Sequence, residues 1–319
     1  MTPRQRLNPA VIANQVLPLL FVILYSSGYV ASKIGIAYTD PFTFQTLRLA
    51  TPVPLFLGII FLTKAKWHNK PIEVFHICVT GILIHGFCFT GMLVAYEWGM
   101  DVGTVGLIMA LHPALASVGA IAFLGERFSF KLILGLLLGT IGVLLVVNQK
   151  ASFDSNSYSG VLLTVLCLLS MVAGVLYQKR FVAHMNLMTG SLIQHLSALI
   201  PVFGLMIAFE TMTINWSASL IGSILWLGIV LSMGSWILFF ILIRSADVSR
   251  SQSYFFLGPP TTVLLAWIFF DEQFGSYFLL SLSLIVAGIL IVTKHTAPKV
   301  GENQKSEQGL TTGSAERVT

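Results

Sequence analysis

Arg48, His85 and His112 stand inside long apolar runs, where a side chain able to carry charge has little water to solvate it. A central Arg costs about 2.5 to 3.5 kcal/mol on insertion scales and is kept where it faces protein, a partner or a wet cavity. Structural satisfaction is the simpler account of Arg48, and contact with a solute is the sharper one. Imidazole titrates near neutral pH, so His85 and His112 have the chemistry to pass a proton. The commoner role of a buried neutral histidine is to hydrogen-bond a neighbouring helix. His195 lies somewhat shallower than either. Asp and Glu are absent from mid-depth, which argues against a carboxylate-centred exchanger of hydrophobic cations.

Other candidates differ in kind. Tyr25, Tyr29, Trp236, Gln252 and Tyr254 combine polar tips with apolar bodies and are candidates to line a cavity; Trp236 and Tyr254 lie deeper than an interfacial aromatic belt explains well. Pro113, Pro259 and Pro260 fall in the middle of apolar runs, where a proline withdraws a backbone donor and frees a carbonyl. Such a carbonyl is tolerated in a bilayer only against protein or a water-filled cavity, so these prolines are expected to bend cavity-lining helices. Lys33, Glu272, Lys179 and Glu126 end apolar runs. If they pair, Lys33 meets Glu272 on one face and Lys179 meets Glu126 on the other, as two gates; the alternative is four interfacial anchors with their heads in water.

These residues are positioned by a chain that has too little charge to clothe a water-facing surface. Of its 319 residues 55% are hydrophobic and 10% charged, against roughly 25% charged in a soluble globular protein. Runs long enough to span a bilayer fall at 14–36, 42–62, 73–95, 102–124, 131–147, 160–177, 187–209, 220–243, 248–270 and 277–292. The first is longer than a signal-peptide core and reads as a retained helix. Residues 294–319 are rich in Gly, Ser, Thr, Glu and Lys and are expected to be a disordered tail. Basic residues gather in alternate loops, beginning with Lys64, Lys66 and Lys70, on the side shared with Arg4 and Arg6. By the positive-inside rule both termini are cytoplasmic. The net charge of +5 therefore orients the chain in a membrane and needs no nucleic acid.

Sliding the sequence on itself by 146 positions superposes Gly28 on Gly174, Lys33 on Lys179, Thr43 on Thr189, Asp101 on Asp247, Pro113 on Pro259 and Glu126 on Glu272. Matches among Lys, Asp, Pro and Glu are not cheap in so apolar a chain. Five spans per half is an odd number, so the halves are inverted, an architecture from which many transporters build alternating access. The expected divisions are a cytoplasmic tail at 1–13, a first repeat at 14–148, an external linker at 149–159, a second repeat at 160–293 and the tail at 294–319. Gly135 and Gly139, with Gly142 one turn on, form a small-residue stripe that seats a neighbouring helix or, less simply, a second copy in a homodimer.

The strings SGYVASK from Ser27, DPFTFQTLR from Asp40, ALHP to Pro113, LGERF from Leu124 and LGTIG to Gly142, answered by LGP to Pro259, DEQF from Asp271 and Ala287-Gly288, resemble the EamA-like family of the drug/metabolite transporter superfamily. Where that family usually shows a tryptophan beside the glycine, Tyr25-Ser26-Ser27 precedes Gly28. The resemblance implies an all-α integral membrane protein, ten transmembrane helices in two inverted five-helix repeats around a central cavity. It also implies export or exchange of amino acids or related small metabolites. Partners would be a small-molecule substrate, a proton or counter-substrate and the lipid bilayer, with no cofactor or metal, in a bacterial inner membrane. A nucleotide-sugar or phosphate-ester antiporter would need several basic groups converging on phosphate, and Arg48 is a single one. An intramembrane enzyme lacks a zinc His-Glu-x-x-His, a Gly-x-Gly-Asp pair or a phosphate loop here.

Overall fold

The computed structural model describes residues 17–68, 70–124, 130–150, 155–234, 258–273 and 277–296. Among these every element is helical except one antiparallel bridge, Thr39 with Ile214. Trp236, Gln252, Tyr254 and Glu126, and the expected tail at 1–13, lie outside the described residues, as does the tail at 294–319 beyond Thr296.

Proline sets several boundaries. After α1 (Leu17–Gly35), Pro41 opens α2 (Pro41–Ala50) behind Asp40, a position where the missing N–H is one that no helix satisfies internally. Pro52 and Pro54 withdraw the donors that the carbonyls of Arg48 and Ala50 would accept. The span therefore divides just past Arg48, and α3 (Val53–Thr63) follows. Pro71 opens α4 (Pro71–Gly81), which passes into a π-helical stretch, Ile82–Cys88, and then α5 (Phe89–Glu97).

The run at 102–124 is expected to be one kinked helix, and it is two. α6 (Val102–Met109) ends at Ala110, and α7 (His112–Leu124) begins afresh with Pro113 in its first turn. The proline removes the bond to Met109, and the Leu111 N–H donates only three residues back, to Ile108 O at 3.2 Å. There follow α8 (Phe130–Lys150), α9 (Ser155–Phe181), α10 (Leu187–Phe209), α11 (Ala218–Leu225) with a second π-helical stretch at Trp226–Gly234, α12 (Gly258–Phe270) and α13 (Phe278–Thr296).

Boundaries recur along the chain. The second span, Pro41–Thr63, and α10, Leu187–Phe209, are 146 positions apart at both ends. Packing joins the two parts of the chain rather than separating them: α10 lies on α2, α3 and α4, α9 on α5 and α7, and α12 on α1 and α6. The closest seam is α8 with α13. A Cβ on Gly288 would strike the backbone of Gly135 and Gly139, and one on Gly142 would strike the Ser281 carbonyl. The small-residue stripe thus seats α13 of the same chain.

Four described segments are long and apolar enough to cross a membrane: Pro41–Thr63, Pro71–Glu97, Tyr158–Phe181 and Leu187–Phe209. Their outward faces carry bare Phe61, Ile200 and Phe209, each at least 74% exposed. Such a surface suits acyl chains rather than water.

Candidate functional site

Polar groups meet where these segments cross. Arg48 is two turns into its span, about 10 Å from the start of α2 at 1.5 Å per residue. Its guanidinium lies over the Phe89 ring, 4.6 Å from the centroid, and Nη1 donates to Gln45 Oε1 at 3.4 Å. Gln45 is fully buried, and its amide nitrogen donates to the His85 carbonyl at 2.8 Å. His85 sits in the π-helical stretch, whose altered hydrogen-bond register releases carbonyls for other donors. A second one, Leu83 O, accepts from Ser170 Oγ of α9 at 2.8 Å.

The His85 ring lies 4.6 Å from that of His195, and His195 lies 5.2 Å from Phe56. His195 donates through Nδ1 to the Ser191 carbonyl at 2.8 Å; a carbonyl only accepts, so the ring proton is on Nδ1. Phe56, His195, His85, Phe89 and Arg48 form a continuous line of ring and guanidinium contacts through α3, α10, the π-helical stretch, α5 and α2. Arg48 and His85 keep accessible surface although they lie deep among the helices, so they border a crevice rather than a filled core.

The remaining sequence candidates are placed as follows. Tyr25 and Tyr29 meet edge to face at 6.0 Å on α1, Tyr25 retaining 37% of its surface and Tyr29 buried. Between them in the chain, Ser27 Oγ accepts from Trp226 Nε1 at 2.8 Å. His112 Nε2 is buried with no hydrogen-bond partner among the described residues. Pro259 is buried and Pro260 half-buried in the first turn of α12 as described.

Lys33 and Glu272 come to the same end of the bundle but are not joined to each other. Lys33 Nζ donates to the carbonyls of Tyr96 and Met100, both at 3.0 Å, and lies 5.4 Å from the Tyr96 ring centroid. Glu272 accepts from the N–H groups of Val102 and Gly103, at 2.7 and 3.0 Å, at the start of α6. The two therefore flank one turn, each bound to backbone. Glu210 repeats the arrangement, accepting from Phe42 N at 2.6 Å, Thr43 N at 2.7 Å and Thr43 Oγ1 at 2.8 Å at the start of α2. This end also carries the Thr39 bridge to Ile214 and the bond from Asn215 N to Tyr38 O at 2.9 Å. Lys179 is exposed in the last turn of α9, at the opposite end.

The structure brings into the central group Gln45 together with His195, the shallower of the three histidines marked in the sequence, and to the acidic end Glu210; Gln45 and Glu210 do not stand out by residue type alone. A signal for part of this existed. Under the shift of 146, Arg48 falls on Gln194, a second mid-span polar residue, which is buried and donates to Thr80 Oγ1 at 3.1 Å; His195 is its neighbour. A groove of ≈ 820 Å³ lined by Leu57, Ile60, Phe61, Leu62, Lys64, Ala65 and Trp67 lies away from this group and is almost wholly apolar.

Helices with lipid-suited faces and a polar group where the spans cross, among the described residues, fit an integral membrane protein. The sequence profile of the EamA-like transporter family matches this chain twice, over residues 15–148 and 158–294, and the chain belongs to that family. It is 30% identical to an uncharacterized transporter of Bacillus subtilis, over 90% of this chain and 95% of that protein. It is 23% identical to an Escherichia coli protein named "Probable amino-acid metabolite efflux pump", over 86% of this chain and 93% of the other. A solved crystal structure superposes with a TM-score of 0.63 at 19% identity, covering 87% of this chain and 97% of that one; at that identity it supports the fold alone. At the level of the family, membership supports a membrane transporter.

Proposed function

We propose that the protein moves small organic metabolites, amino acids or related neutral, zwitterionic or anionic solutes, by alternating access between two inverted five-helix halves. Ten spans surround the crevice bordered by Arg48 and His85, and both termini face the cytoplasm of a bacterial inner membrane. The observation that carries the reading is the Arg48, His85 and His195 group, which draws α2 and the π-helical stretch from one half and α10 from the other. A solute held there touches both halves, so its binding is coupled to their relative motion. The recurrence of helix boundaries at 146 positions supports two equivalent halves. The relative named for amino-acid metabolite efflux supports the substrate class and the outward direction.

In this reading the acidic end is shut by Glu210 and Glu272, which reach from the second half to helix starts in the first. Lys33 braces the Tyr96 to Met100 turn beside them. The break at Pro113, together with a bend expected at Pro259, lets those helices reorient as that end opens. The test is counterflow in proteoliposomes loaded with single amino acids, with radiolabelled solute outside. Saturable counterflow of at least one solute is expected, reduced by His85→Ala and by Pro113→Ala at equal protein content. Absence of counterflow across amino acids, their acyl derivatives and short organic acids would remove the transporter reading.

A further inference from the structure

We infer that Arg48 is the docking point for a carboxylate carried by the solute itself. This deepens the transport reading above and rests on it.

Among the described residues the Arg48 guanidinium has no counter-charge. Arg offers five N–H donors in a planar fork, and the contacts of Arg48 are one bond to Gln45 at 3.4 Å and the face of Phe89. Its charge is met by no carboxylate among the described residues. Among the described residues the ionisable groups around it are His85, His195 and Cys88, two imidazoles and a thiol with no carboxylate among them. A charge taken from water without a partner is costly, and such a residue persists when function supplies the partner.

The surroundings hold the cation in place without neutralising it. Gln45 is tied at its amide nitrogen to the His85 carbonyl, so its oxygen is turned towards Arg48 and fixes one edge of the guanidinium. Phe89 covers one face. The side chain nevertheless keeps accessible surface deep in the bundle, which leaves donors free for an incoming group. Of the ligands that use a planar fork, carboxylate and phosphate fit best. A phosphate dianion asks for more than one cation; Lys33, at the acidic end, is bound to Tyr96 and Met100. The site therefore suits the single charge of a carboxylate.

The rival account is that a residue outside the described stretches provides a permanent partner. Apo stability separates the two without knowledge of the solute. A permanent ion pair leaves an uncompensated carboxylate when Arg48 becomes Gln, so stability falls sharply. A docking site loses only an unpaired cation, so stability holds or rises.

The experiment uses purified full-length protein, wild type and the variants Arg48→Gln and Arg48→Lys, in a thermal-shift series. The probes are the twenty L-amino acids, pyruvate and lactate, then the carboxamide of each hit. Expected are at least one carboxylate hit on the wild type, binding roughly tenfold or more weaker for its amide, a similar loss in Arg48→Gln, and partial recovery in Arg48→Lys. The apo Tm of Arg48→Gln should not drop by more than about 2 °C. The inference is overturned by an amide that binds as well as its acid, by unchanged carboxylate binding in Arg48→Gln, by a marked loss of apo stability, or by no carboxylate hit at all. Counterflow of a solute that ignores Arg48 would sink this site and leave the transporter standing; no counterflow of any solute would remove the transporter reading itself.

Discussion

The spans that begin at Pro41 and at Leu187 stand 146 positions apart and run the same length, yet they satisfy their first backbone donors in opposite ways. At Leu187 the cap is local: Asn186 accepts from Met188 N and Thr189 N at 3.1 and 3.3 Å. At Pro41 the residue in the same place, Asp40, makes no cap bond, and the equivalent N–H groups of Phe42 and Thr43 go to Glu210, more than 160 residues away. A local cap travels with its helix whatever the rest of the molecule does. A cap supplied by the other half exists only while the halves are together. The same holds for Glu272 on α6. Helix N-termini favour a negative charge, and here that preference is used to tie two parts of the chain at one end.

The contrast breaks most visibly at Glu210. Glu210→Gln replaces a carboxylate that accepts three bonds by an amide with a single acceptor oxygen, and should cost about 2 to 4 kcal/mol, since bonds to a charged partner are worth roughly 1.5 to 3 kcal/mol each. The readout is Tm together with hydrogen exchange, which should quicken at Phe42 and Thr43. Glu272→Gln removes fewer bonds and should cost about 1 to 3 kcal/mol, with faster exchange at Val102 and Gly103. Exchanging the charges, Lys33→Glu with Glu272→Lys, should not restore stability or closure, because a lysine at 272 cannot accept from those N–H groups. Recovery on exchange would mean that the two side chains act as a direct pair. The smallest effect is Asn186→Ala, about 1 kcal/mol, with exchange at Phe42 and Val102 unaltered. Loosening of the acidic end by that variant would erase the distinction between local and borrowed caps.

Much of the fold was legible because a bilayer demands long apolar runs, and span lengths need no knowledge of contacts. The run at 187–209 coincides with α10. Breaks were harder. Pro113 is plain in the sequence, but whether a proline bends a helix or starts a new one depends on what meets the freed carbonyl; here the chain takes a turn at Ala110 and Leu111 and begins again. The π-helical stretches carry no proline within them, and donors from other helices, Gln45 and Ser170, meet the carbonyls of the first. Arg48 and His85 were recognisable as misfits in apolar runs. Their union with His195 was not, because that requires two spans far apart in the chain to cross at one depth.

Residue types and spacing by themselves determined that this chain lives in a membrane, that its parts repeat at 146 positions, and that its interior charge is basic rather than acidic. Those are properties of composition and order along one dimension. Only the tertiary structure decided what each polar group spends its bonds on. Lys33 and Glu272 read as complementary charges, yet unsatisfied backbone groups at helix ends lay nearer to each and took both. Arg48 reads as a charge in need of a partner, and the fold supplied it with an aromatic face and one amide oxygen. In a bilayer every buried donor and acceptor competes for the same few partners, and the outcome depends on which helices are brought within about 3 Å of one another, which no pairwise reading of a sequence contains.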